Sequence, residues 1–106
     1  MIGKMQRTVK MPISFSGSGL HTGTNCTVTL KPAPIHHGII FQRVDIDGNP
    51  IVKSIVDNVS HTARGTSLTE NGVSIHTVEH LLSAIFAMEI DNLLIEITGE
   101  EVPILD

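Results

Sequence analysis

Near Val78 the spacing of apolar residues changes from every second position to one helical face, and no other feature of the sequence constrains the fold as much. Upstream, short alternating or β-branched runs are broken by Gly, Pro and Asn clusters. They predict strands near residues 7–10, 13–16, 26–31, 39–44, 66–68 and 73–75. Gly17-Ser18-Gly19, Lys31-Pro32-Ala33-Pro34 and Asp47-Gly48-Asn49-Pro50 supply the turns between them. Downstream, apolar residues at 78, 81, 82, 85 and 86 trace one face of a helix, with Thr77 as its expected N-cap. The helix should fail near Glu89, where Asp91-Asn92 turns the chain into a final strand, Leu93-Leu94-Ile95-Glu96-Ile97. Strands followed by a helix predict an α+β fold. The expected form is a two-layer sandwich, a mixed or antiparallel sheet with one long helix packed on one face.

A chain of 106 residues makes one modest core, burying roughly 65% of its unfolded surface. No second helix follows the last strand to cover the rest of such a sheet. Residues 1–106 are therefore expected to be a fragment of a larger unit. Composition narrows the function classes. With a net charge of −4 and seven basic residues scattered singly from Lys4 to Arg64, there is no basic stripe for nucleic acid. Phe15, Phe41 and Phe86 are the only aromatic residues, too few for a base-stacking platform. The apolar stretch 81–88 is interrupted by Ser83 and is far shorter than the ~20 residues of a transmembrane span. The opening Met1-Ile2-Gly3-Lys4-Met5-Gln6-Arg7 lacks the apolar core of a secretion signal, so a cytoplasmic location is expected. Cys26 stands in an alternating run, as a small buried side chain rather than a reactive thiol.

Six histidines invite a test for metal binding. His76-Thr77-Val78-Glu79-His80 matches the H-x-x-E-H pattern, in which two histidines one helical turn apart bind zinc and the Glu is general base. The pattern requires both histidines inside the helix. With Thr77 as cap, His76 falls in the preceding extended segment and does not share a face with His80. Glu79 and His80 survive this objection, because both lie in the first helical turn, where the positive end of the helix dipole favours a carboxylate. A carboxylate beside a metal-bound water can take its proton. On spacing alone, the bland alternative is a dipole-compensating surface acid followed by a polar first-turn histidine. His36 and His37 read as a solvated loop, and His61 has no partner at ligand spacing.

Several words stand in one order: Gly19-Leu20-His21-Thr22-Gly23, Lys31-Pro32-Ala33-Pro34, Thr77-Val78-Glu79-His80-Leu81, Ile90-Asp91-Asn92 and Glu101-Val102-Pro103-Ile104-Leu105-Asp106. Together they resemble the N-terminal part of the UDP-3-O-acyl-N-acetylglucosamine deacetylases, zinc amidases of lipid A synthesis in Gram-negative bacteria. The resemblance implies a two-domain enzyme with Zn2+ held between two similar domains, residues 1–106 being the first, cut before its second helix, and the C-terminal zinc-binding domain being absent. It implies His80 as a zinc ligand and Glu79 as general base. The remaining ligands, a His and an Asp, and a histidine acting as general acid would come from the C-terminal domain. It also implies Leu20 and His21 as substrate-pocket residues, on a loop whose flanking glycines allow close backbone approach.

Three positions depart from the family pattern. A serine is usual at His76, which supports leaving it off the metal. A glycine is usual at Glu89, so the helix C-terminus must be closed differently or under strain. The segment His61-Thr62-Ala63-Arg64-Gly65 lacks the larger apolar residues or cysteine usual after the threonine. The expected activity is hydrolysis of the acetamide of UDP-3-O-acyl-N-acetylglucosamine by the intact enzyme, with residues 1–106 alone inactive. A self-contained H-x-x-E-H metallohydrolase and a non-enzymatic β-rich interaction domain are the alternatives.

Overall fold

A computed structural model describes residues 5–104. The first four residues, and Leu105 and Asp106 of the last family word, lie outside this range. Eight strands and one α-helix follow in the order β1 (Ile13–Ser18), β2 (Asn25–Pro32), β3 (Ile39–Arg43), β4 (Ile51–Lys53), a 3₁₀ turn (Val56–Asn58), β5 (Val59–Thr62), β6 (Gly65–Glu70), β7 (Val73–His76), α1 (Glu79–Ala87) and β8 (Leu93–Ile97). The α+β class and layered arrangement read from the sequence hold. The strands divide into a mixed five-stranded sheet, ordered β1-β2-β8-β3-β4, and an antiparallel three-stranded sheet, β5-β6-β7.

Period-two alternation sets the register of the larger sheet. Leu30 pairs with Ile95, Ile95 with Phe41 in the parallel β8–β3 ladder, and Phe41 with Val52. That row lies on the inner face, where Phe41, Val52, Leu93, Ile95 and Ile97 are fully buried. Leu68 and Ile75 of the smaller sheet, with Val78 and Ile85 at the helix, join the same core. Cys26 is buried among them, as its place in β2 predicts. On the outer face Lys31 meets Glu96 across β2–β8 at 3.0 Å.

Several expectations are corrected. Residues 7–10 form no strand; the Arg7 carbonyl instead accepts the Asp91 and Asn92 amides at 2.9 and 3.0 Å. Buried Asn92 accepts from the Gly38 amide and donates to Gln6, so the Ile90-Asp91-Asn92 word fastens the amino-terminal segment to the start of β3. β4 and β5 are additional strands. Phe86, expected on the buried helical face, is 68% exposed, while Ile85 on the same helix is buried. Thr77 is not the N-cap: that position is Val78, with no side-chain cap bond. Among the described residues, no helix is long and apolar enough to cross a membrane.

The helix closes after Met88 with Glu89 in the left-handed region at φ 57°. The Glu89 amide bonds the Phe86 carbonyl, and the Ile90 amide the Ile85 carbonyl, a Schellman ending built on a residue with a Cβ. The strain expected from the missing glycine is thus realised in the backbone.

Candidate active site

The site grows from the junction of β7 and α1. His76 ends β7, its Nδ1 2.7 Å from the Ser67 hydroxyl across the β6–β7 ladder. It lies in extended backbone before the helix, so the H-x-x-E-H spacing does not give two histidines on one helical face. Burial lowers the His76 pKa, aided by the Arg64 charge.

Thr77 follows with φ 61°, a conformation that costs a β-branched residue roughly 1–3 kcal/mol. Its hydroxyl explains why it cannot cap the helix. The oxygen lies 2.9 Å from both the Arg64 carbonyl and a Glu101 carboxylate oxygen, and its one proton is committed there. The Val78 amide bonds the Thr66 carbonyl at 3.1 Å, seating the helix start on β6.

Glu79 is the first residue of α1. Its carboxylate reaches back to β6, where Oε2 accepts the Thr66 amide at 3.1 Å. Oε1 presses on Gly65, at φ 86°; a Cβ built there would stand 2.6 Å from it. The acid is therefore fixed in place by a backbone donor and a glycine. His80, next in the helix, is exposed and forms part of the wall of a cleft of about 370 Å³. Phe15, Leu81, Ala84, Val102, Pro103 and Ile104 make the rest of that wall largely apolar, with Thr77 at its edge.

Leu20 and His21 sit on the loop joining β1 and β2, closed by bonds from the Gly19 amide to the Thr24 carbonyl and from the Gly23 amide to the Gly19 carbonyl. Both side chains are exposed, Leu20 to 61%, and stand outside the cleft wall. The loop backbone instead rests on Glu101. The His21 and Thr22 amides donate to its carboxylate at 2.9–3.2 Å, and any side chain at Gly19 would collide with it. Glu101 is only 2% exposed. Burial pushes its carboxyl pKa up, but hydrogen bonds from Thr22, Thr77 and His21 outweigh burial and hold it below the ordinary value.

The structure thus places His80 on the cleft wall, anchors its neighbour in sequence, Glu79, to β6, and ties Leu20 and His21 to the same junction through Glu101. Glu101, Thr77 and the cleft wall of Val102, Pro103 and Ile104 were missed as site residues by sequence reasoning. The available signal was an acid embedded in the Glu101-Val102-Pro103-Ile104 word beside apolar neighbours. His80 offers an exposed imidazole on the cleft wall, a side chain of the kind that can ligate a metal. Among the described residues, no three His, Cys, Asp or Glu side chains gather at metal-binding distances. Of a zinc site, which takes three or four protein ligands, this imidazole could supply one.

Fold and site together define an α+β domain whose helix start carries a carboxylate anchored to β6 and, next in sequence, an imidazole on the wall of an apolar cleft. The family profile described as LpxC, UDP-3-O-acyl N-acetylglycosamine deacetylase, matches residues 6–106, and the chain belongs to this family. It is 52% identical over 101 residues to the bifunctional enzyme LpxC/FabZ of Bacteroides thetaiotaomicron, across 95% of this chain and 22% of that protein. Identity is 46% to the UDP-3-O-acyl-N-acetylglucosamine deacetylase of Marinobacter nauticus, and 48% to that of Saccharophagus degradans, each across 95% of this chain and 33% of the relative. The chain therefore spans between a fifth and a third of the length of these relatives.

Proposed function

We propose that this chain is the N-terminal domain of a zinc-dependent deacetylase. The whole enzyme removes the acetyl group of UDP-3-O-acyl-N-acetylglucosamine in lipid A synthesis, in the cytoplasm of a Gram-negative bacterium. The observation that supports this reading best is the Glu79–His80 pair at the helix start, with His80 on the cleft wall, in a chain of the LpxC family. His80 would hold Zn2+ through its imidazole, completed by a His and an Asp of the C-terminal domain. Bound zinc supplies a water of lowered pKa and a polarised carbonyl.

The residues of this chain do the rest of their share. Glu79, held by the Thr66 amide, receives the proton of the attacking water on its carboxylate. The cleft lined by Phe15, Leu81, Ala84 and Ile104 excludes water and accepts an apolar group, matching the acyl chain of the substrate. Leu20 and His21, on the neighbouring loop held by Glu101, would meet the substrate from outside the cleft. A histidine of the C-terminal domain protonates the leaving amine.

Replacing Glu79 by Ala in the full-length enzyme should lower turnover about 10²–10⁴-fold, the range for losing a general base, while zinc content stays at one per chain. Near-normal turnover would refute the assignment. Residues 1–106 alone should be inactive, and mixing them with a separately made C-terminal half should restore hydrolysis. No recovery from two folded halves would favour a non-enzymatic role for the isolated domain.

A further inference from the structure

Among the described residues, Glu101 is the most heavily hydrogen-bonded side chain that the proposed chemistry does not use. Its carboxylate is nearly inaccessible and makes no salt bridge among the described residues. Oε1 accepts the Thr22 amide at 2.9 Å and the His21 amide at 3.2 Å. Oε2 accepts the same His21 amide at 3.1 Å and stands 2.9 Å from the Thr77 hydroxyl. The Gly19 backbone lies directly against it, with no room for a Cβ. The backbone around Glu101 is equally fixed. The His76 amide bonds the Glu100 carbonyl at 2.7 Å and the Val102 amide the His76 carbonyl at 3.1 Å, a parallel bridge between residues 76 and 101.

We propose that Glu101 is a positioning residue that locks the Leu20–His21 loop and the Glu79–His80 helix start into one unit through the Thr77 hydroxyl. This rests on the Glu79–His80 reading given above. On the loop side, two backbone amides on one carboxylate fix where the Leu20 and His21 side chains emerge. On the helix side, Thr77 stands two residues before Glu79 in a left-handed conformation that nothing local favours. The hydroxyl contacts to Glu101 and to the Arg64 carbonyl select it. Burial of an acid without a cationic partner is unfavourable unless hydrogen bonds satisfy it, and here every donor comes from an element that flanks the site. Glu101 itself touches neither water nor substrate in the reaction. It acts by fixing the relative placement of groups that do.

The test uses the full-length enzyme with Thr77→Val, Thr77→Ser, Glu101→Gln and, in parallel, Glu79→Ala. Thr77→Val keeps the branched side chain and its backbone strain but removes the hydroxyl, whereas Thr77→Ser keeps the hydroxyl. Turnover and KM are measured separately on protein shown folded by thermal melting, and amide hydrogen exchange is followed at His21 and Thr22. Displacing reacting groups by a fraction of an ångström to 1 Å predicts a kcat about 10–100-fold lower for Thr77→Val, with KM within about threefold. Thr77→Ser should stay within about threefold of the parent. Glu101→Gln should speed exchange at Thr22 about tenfold or more, because one acceptor oxygen becomes a donor. Equal kcat in Thr77→Val and parent, with only a lower melting temperature, would overturn the proposal, as would equal kcat losses in Thr77→Val and Thr77→Ser. An active Glu79→Ala would instead remove the base assignment. The exchange rates at His21 and Thr22 would still report the hold of Glu101 on the loop.

Discussion

Replacing Glu89 by Gly should stabilise the protein, although it deletes a side chain that makes an ion pair. Glu89 occupies the C′ position of a Schellman ending at φ 57°, where a residue with a Cβ pays about 1–2 kcal/mol that glycine does not. Losses of the side chain's contacts, the ion pair to Arg7 among them, and of chain stiffness oppose the gain. The Arg7–Glu89 pair at 3.2 Å joins side chains 57% and 61% exposed, so solvent screening leaves it about 0.5 kcal/mol or less. Glycine also gives the unfolded chain more freedom, worth about 0.5 kcal/mol at such a site. The balance is a net gain of roughly 0–1 kcal/mol, or up to about 4–8 °C in melting temperature for a domain of this size. Glu89→Ala separates the terms, since it loses the ion pair but keeps the Cβ and its strain. In urea unfolding followed by circular dichroism, Gly should exceed Ala by about 1 kcal/mol. A Glu89→Gly protein no more stable than Glu89→Ala would refute the reasoning, because it would mean that the left-handed backbone costs nothing here.

Two further predictions concern the junction itself. Gly65→Ala places a Cβ 2.6 Å from Glu79 Oε1 at φ 86°, and should cost about 1–3 kcal/mol by urea unfolding and displace the acid. The cost should shrink in a Glu79→Ala background, where the colliding atom is gone; strict additivity would contradict the contact. Stability should also fall as pH drops. Burial holds the folded pKa of His76 below its ordinary 6.5, and despite burial the donors of Thr22, Thr77 and His21 hold that of Glu101 below its ordinary 4.5. In both cases the unfolded chain takes up the proton first, so stability is full above the ordinary value and is lost as pH falls toward the folded one. Urea midpoints at pH 7.5, 6, 5 and 4 should decline in two stages, the first removed by His76→Gln. A midpoint that rises on acidification would contradict the sign.

What the sequence revealed was whatever short-range pattern controls. The change of period at Val78 located the helix and the α+β class, because burial of one face per element is written in consecutive residues. β4 and β5 escaped because one is three residues long and the other, Val59–Thr62, is exposed throughout and alternates nothing. The 7–10 segment was misjudged for the opposite reason: its alternation is real, with Val9 packed against the core, but its backbone bonds go to the 91–92 turn instead of a ladder. At the site, the position of Glu79 and His80 in the first helical turn was legible from the change of period. The mistake at Thr77 was a local inference defeated by distant partners. A threonine before a helix usually caps it, yet this hydroxyl is claimed by residues 13 and 24 positions away.

That defeat bears on function. Sequence-level rules tend to fail where a structure holds strain for a purpose, and the positions of the strain are informative. Asn49 and Asn71, with positive φ, occupy turns that asparagine tolerates, and Glu89 closes a helix in a conformation common at that place. Thr77 is different: it is β-branched, buried and left-handed at a point where the chain passes from strand to helix. Two residues on, a carboxylate is pressed against a glycine and bonded to a backbone amide; beside it stands an imidazole on an apolar cleft. A helix serving only the core would gain from an ordinary cap at this junction. The chain instead spends its Thr77 hydroxyl on Glu101 and leaves the helix start uncapped by any side chain, which favours placement of Glu79 and His80 over local stability.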